Sequence, residues 1–207
     1  MDARIDQVAA GGAATCNTWL IGDDEEVIVV DPGTDAEAVL AAAGDRDILA
    51  VICTHGHASH VAAALEVAGR DDSPVALHRE DLLPWREVHD DADPDIEMAD
   101  GGIFEVSDVA LEVIHTPGHS PGSVSLYCED LAVVCSGDAL TAAGPAQHER
   151  DFPDLPGQLS AIGEDLLPLP GETRVLPGHG EELTIALAEK QFDTWVATSG
   201  DLPETAG

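Results

Sequence analysis

The densest chemistry in the 207-residue sequence lies in Thr54-His55-Gly56-His57-Ala58-Ser59-His60. Three of the chain's nine histidines fall within these few positions. The segment follows an apolar run and precedes an alanine-rich one, so a turn at a strand end can aim neighbouring side chains at one point. Neutral imidazoles are strong ligands for zinc and good ones for iron or manganese. Three further residues sit at similar addresses: His119 in His115-Thr116-Pro117-Gly118-His119-Ser120-Pro121-Gly122, Asp138 in Ser136-Gly137-Asp138, and His179 in Pro177-Gly178-His179-Gly180. Each follows an apolar, strand-like run and is flanked by Gly or Pro. That pattern puts a candidate ligand on a loop held by a rigid sheet end.

Interleaved strands and helices must position these groups. Thr18–Ile21, Val27–Asp31 and Ile48–Thr54 read as strands, being short, β-branched or apolar, and ended by polar residues or glycine. Thr34–Gly44 reads as a helix with Thr34 as N-cap, Glu37 completing a capping box and Gly44 as the stop. His60–Gly69 reads as a second short helix, with Ser59 at its N-cap. Val75–His78 is a short strand. Ile103–Val106, Val109–His115, Ser123–Cys128 and Leu131–Ser136 follow in quick succession and predict an antiparallel meander, with turns at Ser107–Asp108 and Glu129–Asp130. Helical stretches around Leu159–Leu167 and Thr184–Thr198 are separated by the strand Thr173–Leu176. Leu82–Asp95 and Ala142–Leu155 are expected to be loops that shape substrate choice. Strands and helices in both halves predict two facing sheets with helices outside, in one domain over residues 1–207.

Charge excludes several partners. Forty-one acids face eight bases, for a formal net charge of -33. Such a surface does not attract nucleic acid or an anionic membrane, and it reads as a solvated acidic shell like that of proteins from salt-rich cytoplasms. No run approaches the roughly 20 apolar residues of a membrane span, and the N-terminus lacks a signal-peptide core, so a cytoplasmic protein is expected. Cys16, Cys53, Cys128 and Cys135 form no Cys-x-x-Cys pair and read as buried free thiols. A phosphate-binding glycine loop is missing, and Ser120 and Ser123 beside His119 read as turn and strand-start residues rather than as the nucleophile of a serine hydrolase. His78, His89, His115 and His148 lack metal-type spacing and read as ordinary histidines, and Trp85 as packing.

In their order along the chain, His-x-His-x-x-His, His-Thr-Pro-Gly-His-Ser-Pro-Gly, Ser-Gly-Asp and Pro-Gly-His-Gly resemble the metallo-β-lactamase superfamily. The similarity is to its glyoxalase II-like (hydroxyacylglutathione hydrolase-like) branch, and within that to small actinobacterial-type members acting on thiol-linked substrates. It runs from Asn17 to Gly180, with Val30-Asp31-Pro32-Gly33 as a further match. The resemblance implies an α+β fold, a four-layer αββα sandwich with its site at one edge of the two sheets. It implies one metal held by His55, His57 and His119, and a second by His60 and His179, with Asp138 bridging both. Asp31 would orient ligand histidines through hydrogen bonds. The implied activity is hydrolysis of a small thioester or related acyl substrate by metal-activated water, with one or two zinc ions as cofactor and iron or manganese as other options. Asp138 would fix the attacking water, and His179 would act as a ligand or hold a substrate carboxylate or oxyanion. A small-molecule substrate and a monomer or homodimer are expected.

One departure bears on all of this. The family writes His-x-His-x-Asp-His, and this chain has Ser59 where the Asp belongs. A neutral hydroxyl is a poor ligand, so the second site loses a negative charge. A binuclear site with a weaker second metal, an active mononuclear site and a repurposed site all remain open. A mononuclear iron persulfide dioxygenase would need only His55, His119 and Asp138, and a degenerate member would bind a ligand or partner without turnover.

Overall fold

The computed structural model describes residues 2–8, 16–90, 92–146 and 154–199. Six strands form a first sheet in chain order: β1 (Arg4–Val8), β2 (Thr18–Gly22), β3 (Glu26–Val30), β4 (Asp47–Ile52), β5 (Val75–His78) and β6 (Ile96–Met98). A second six-stranded sheet follows, also in chain order: β7 (Ile103–Val106), β8 (Val109–His115), β9 (Val124–Cys128), β10 (Val133–Gly137), β11 (Arg174–Pro177) and β12 (Leu183–Thr184). Both sheets are mixed. β3 to β6 run parallel, as do β10 and β11, while the other pairs are antiparallel. The helices are α1 (Ala36–Ala43), α2 (Ala58–Val61), α3 (Ala64–Ala68), α4 (Leu82–His89), α5 (Leu155–Ala161) and α6 (Ile185–Ser199).

Alternation along the strands builds four layers. Trp19, Ile21, Ile28, Val30 and Ile52 point inward and meet Leu111, Val113, Leu126, Val133 and Leu176 of the other sheet. Leu20, Val27, Val29 and Val51 point outward and pack against Val39 of α1, Val67 of α3 and Trp85 of α4. Val134 and Val175 point outward on the other side, against Ile162, Leu166, Ile185 and Ala188. The central strands are buried on both faces, which is why they read as continuous apolar runs rather than alternating ones. The result is the αββα sandwich.

The meander β7–β10 forms as expected. Its first turn places Ser107 and Asp108 at φ +49° and +65°, the left-handed pair that a tight hairpin demands. Several local expectations are corrected. Asp35, not Thr34, caps α1: its carboxylate accepts from the Ala38 amide at 3.0 Å, a stronger acceptor than the threonine hydroxyl one residue earlier. The helix expected over His60–Gly69 is two short ones, α2 and α3, and α2 begins one residue before Ser59 with His57 at its cap. Ser59 is therefore inside the first turn and caps nothing. Leu82–His89 is the helix α4 rather than a loop. Pro84 is tolerated within its first turn, and Trp85 is fully buried, its indole N–H donating to the Ala92 carbonyl at 2.6 Å. The edge strands β1 and β6 carried no signal. The four cysteines are buried and free, as expected. His148 and much of the Ala142–Leu155 segment lie outside the described residues. Among the described residues, no helix is long and apolar enough to cross a membrane.

Self-repulsion among 41 acids opposes this compact state. Raising sodium chloride from about 0.1 M to 1 M, which shortens the Debye length from about 10 Å to 3 Å, is expected to raise the melting temperature. A flat melting temperature across that series contradicts the acidic-shell reading.

Candidate metal centre

The parallel strands set the geometry. β3, β4, β10 and β11 deliver their carboxyl ends to the same edge of the sandwich. Asp31 follows β3, His55 and His57 follow β4, His60 lies on α2, His119 follows β8, Asp138 follows β10 and His179 follows β11. All six ligand candidates converge there. One ring nitrogen from each of His55, His57 and His119 lies within 4.8 Å of the others, and so do ligand atoms of His55, His60 and Asp138. His57 Nδ1 and His119 Nε2 are 3.1 Å apart. Asp138 Oδ2 sits 3.5 Å from His119 Nε2 and 3.6 Å from His60 Nε2, and its Oδ1 sits 2.7 Å from His179 Nδ1. Asp138 thus stands between the two halves of the cluster. His179 is at the rim, about a third exposed, with its ring 5.1 Å from that of His60.

Hydrogen bonds behind the cluster choose which nitrogen faces inward. Asp31 is buried, with its backbone at φ +51°, a conformation rare for a residue with a side chain. Its carboxylate accepts from the Thr54 amide and the Thr54 hydroxyl, both at 2.8 Å, and lies 2.9 Å from His60 Nδ1. Thr54 Oγ1, having donated its own proton, accepts from His55 Nδ1 at 3.1 Å. His119 Nδ1 donates to the Ala146 carbonyl at 3.1 Å. The rings of His55 and His119 are thereby left presenting Nε2 to the cluster, the arrangement by which ligand histidines are commonly oriented. Asp31 thus reaches His55 through Thr54 and faces His60 as an ion-pair neighbour.

Two supporting residues escaped the sequence reading. Asp81, fully buried before α4, accepts from the Gly56 amide at 2.7 Å, the Ser120 hydroxyl at 2.7 Å and the Gly122 amide at 2.6 Å. It ties the His55–His57 loop to the His119 loop across the two sheets. Gln158 of α5, also fully buried, donates to the carbonyls of Asp138 and Ala139 at 3.1 and 2.9 Å. The signal for Asp81 was a carboxylate three residues beyond the end of β5, next to Glu80, and for Gln158 a lone amide in an apolar helix. Neither has ligand spacing. The glycines of the motifs are steric: a Cβ on Gly178 would lie 2.5 Å from His60 and 2.7 Å from Asp138 Oδ1.

The chemistry of the donors suits a transition metal. Among the described residues, His55 Nε2 and both ring nitrogens of His60 are buried without a hydrogen-bond partner. A polar atom so placed is costly unless something binds it. Burial, then His60 and His119, push His55 well below the ordinary histidine value, so it is neutral and able to ligate. Burial also opposes charge on His60, but Asp31, Cys16 and Asp138 outweigh it and hold its proton well above that value. Positive charge is favoured between those two carboxylates. Burial pushes the nearby Cys16 thiol up, which argues against a thiolate ligand.

A profile of the metallo-beta-lactamase superfamily matches residues 11–179. The chain belongs to that superfamily. It is 31% identical over 195 residues to the probable metallo-hydrolase YqgX of Bacillus subtilis, covering 87% of this chain and 92% of that one. It is 28% identical over 187 residues to the hydroxyacylglutathione hydrolase GloC of Haemophilus influenzae, covering 82% and 87%. Among solved structures, the BLEG-1 B3 metallo-beta-lactamase superposes with a TM-score of 0.82 at 30% identity over 93% of this chain and 99% of that one. TTHA1623 in a di-iron-bound form superposes with a TM-score of 0.78 at 30% identity, over 88% and 96%. These likenesses bear out the αββα fold and the glyoxalase II-like branch. A metal-binding cluster of histidine and aspartate in this superfamily fits both zinc and iron.

Replacing Asp81 by Ala leaves two backbone amides and a hydroxyl without their buried acceptor. At about 1–3 kcal/mol for each unsatisfied group, the loss of stability on urea denaturation should exceed about 3 kcal/mol, and bound metal should fall with it. A variant as stable as the parent, with full metal content, would remove Asp81 from its bridging role.

Proposed function

We propose that the protein is a metal-dependent hydrolase of small acyl thioesters. The observation that carries this reading is the convergence of His55, His57 and His119 beside Asp138. His55, His57 and His119 would hold one ion, and His60, His179 and Asp138 a second, more weakly held for want of a carboxylate at Ser59. A divalent ion in such a site supplies an activated water at neutral pH and a Lewis acid for the carbonyl oxygen. The chain's own groups do the rest. Asp138, pinned through its backbone by Gln158, orients the ligand set from its centre. His179, at the exposed rim, is placed to meet a developing oxyanion or to ligate. Thr54, held by Asp31, keeps the His55 imidazole in the ligating tautomer without a rearrangement at the moment of reaction.

A cavity of about 440 Å³ opens beside His57 and supports an acyl substrate. Ala58, Leu83, Pro84, Val88 and Pro121 give it an apolar wall, and Ser59 and Ser120 a few polar points. Glu80 and Glu87 are its charged lining residues, with no lysine or arginine among the described ones. Such a rim repels an anionic thiol and accepts a neutral or cationic one, so the preferred thioester is expected to carry little negative charge on its thiol portion. The iron found in a related structure keeps persulfide oxidation as an arm of the test.

The decisive assay offers metal-replete protein an acyl thioester of a neutral thiol, an acyl-glutathione, a β-lactam and a persulfide with oxygen uptake recorded. Thioester hydrolysis is expected, with kcat/KM for the neutral thiol about tenfold or more above that for glutathione, roughly the 1.4 kcal/mol of one repulsive contact. Oxygen uptake on the persulfide without thioester cleavage would overturn the hydrolase reading. His57→Ala should lose most of its metal by elemental analysis, and unchanged content counts against the ligand set. Ser59→Asp should raise the metal count toward two per chain. An unchanged count would show that Ser59 does not limit the second site.

A further inference from the structure

Two histidines that lack ligand spacing in the sequence meet in space. His78 ends β5 in the first sheet and His115 ends β8 in the second. Their rings stack across the sandwich with centroids 4.5 Å apart and planes 19° from parallel. Glu80 lies two residues beyond His78, and one ligand atom from each of the three lies within 4.8 Å of the others. The rings of His55, His57 and His119 meet edge to face, at 83° to 88°, whereas this pair lies face to face, so one ring must turn for both lone pairs to reach a common ion.

The bonds around these groups leave them ready to ligate. His115 Nε2 donates to the Pro121 carbonyl at 2.9 Å, so Nδ1 keeps its lone pair. A backbone carbonyl on the far nitrogen is a usual companion of a ligand imidazole. Burial, then His115, lowers His78 from the ordinary histidine value and keeps it neutral near pH 7. Ligation at His78 Nδ1 would cost the parallel stack with His115 and the long 3.4 Å bond that Nδ1 accepts from the Glu80 amide. Glu80 is exposed, so its carboxylate can turn toward the pair.

We propose that His78, Glu80 and His115 form a second, separate site for a divalent transition metal of the zinc and nickel class. Two imidazoles and one carboxylate, with open positions left for water, suit such ions and not calcium or magnesium. The ion would join the two sheets, because β5 and β8 belong to different sheets. It would also neutralise Glu80 on the cavity lining. The site does not depend on the hydrolase reading, since none of its residues belongs to the principal cluster.

Calorimetric titration of metal-stripped protein with zinc chloride tests the site. Wild type should bind one more equivalent than His115→Ala. In Glu80→Gln that equivalent should weaken by about tenfold or more. His57→Ala should keep it, which separates this site from the principal one. Equal stoichiometry in wild type and His115→Ala overturns the site. Because Glu80 is exposed, its substitution does not threaten folding, and a Glu80→Gln protein that titrates like wild type overturns the three-ligand assignment even if His115→Ala fails to fold.

Discussion

A carboxylate taken out of water must be met by donors or by positive charge, and this fold buries three of them at one edge. Asp31, Asp81 and Asp138 are each no more than 1% exposed. Asp31 and Asp81 are met by amides, hydroxyls and an imidazole, and in being satisfied they lock the loops that carry the histidines. Three histidines face the Asp138 side chain: His60, His119 and His179 lie around its two oxygens. Two of these carboxylates are scaffolding and the third faces the histidine cluster. The cost of stripping water from all three is offset only while each partner stays in place, which makes the site rigid before anything binds.

That rigidity is distributed across the layers. Asp81 reaches from the first sheet's side to the His119 loop of the second, and Gln158 reaches from α5 to the Asp138 backbone. Asp31 holds a left-handed backbone conformation that few side-chain-bearing residues adopt. Strain of this kind persists where surrounding bonds over-determine it, and here the Thr18 hydroxyl on its carbonyl at 2.6 Å and the Thr54 bonds do so.

The clustering of the candidate ligands was legible because metal chemistry constrains residue type and spacing together. His55, His57 and His60 cannot be spread without losing their common turn, and the Gly–His and Gly–Asp pairs mark strand ends where backbones crowd. The sandwich was legible from runs such as Glu26–Val30, whose two faces are both buried. What stayed hidden is tertiary. Asp81 acts through bonds to residues 25 to 41 positions away, and no local pattern encodes that. The same holds for the His78–His115 stack, which exists only because two sheets face each other. The capping carboxylate of Asp35 and the break between α2 and α3 turned on choices between adjacent residues of nearly equal propensity, settled by how the backbone must pass from the ligand loop onto the sheet. β1 and β6 are partly exposed edge strands, with too little apolar alternation to announce themselves.

Ser59 gives the site its asymmetry. Three imidazoles remain on one side, while the other depends on His60, His179 and the shared carboxylate. The central claim is that these side chains surround one common cation region with nitrogen and oxygen, and no sulfur. X-ray absorption spectroscopy of the zinc-loaded protein reads this directly. The expected spectrum has a first shell at about 2.0–2.1 Å with outer-shell scattering from at least three imidazoles. A sulfur shell near 2.3 Å, which would bring in Cys16 or Cys53, or scattering from fewer than two imidazoles, would contradict it.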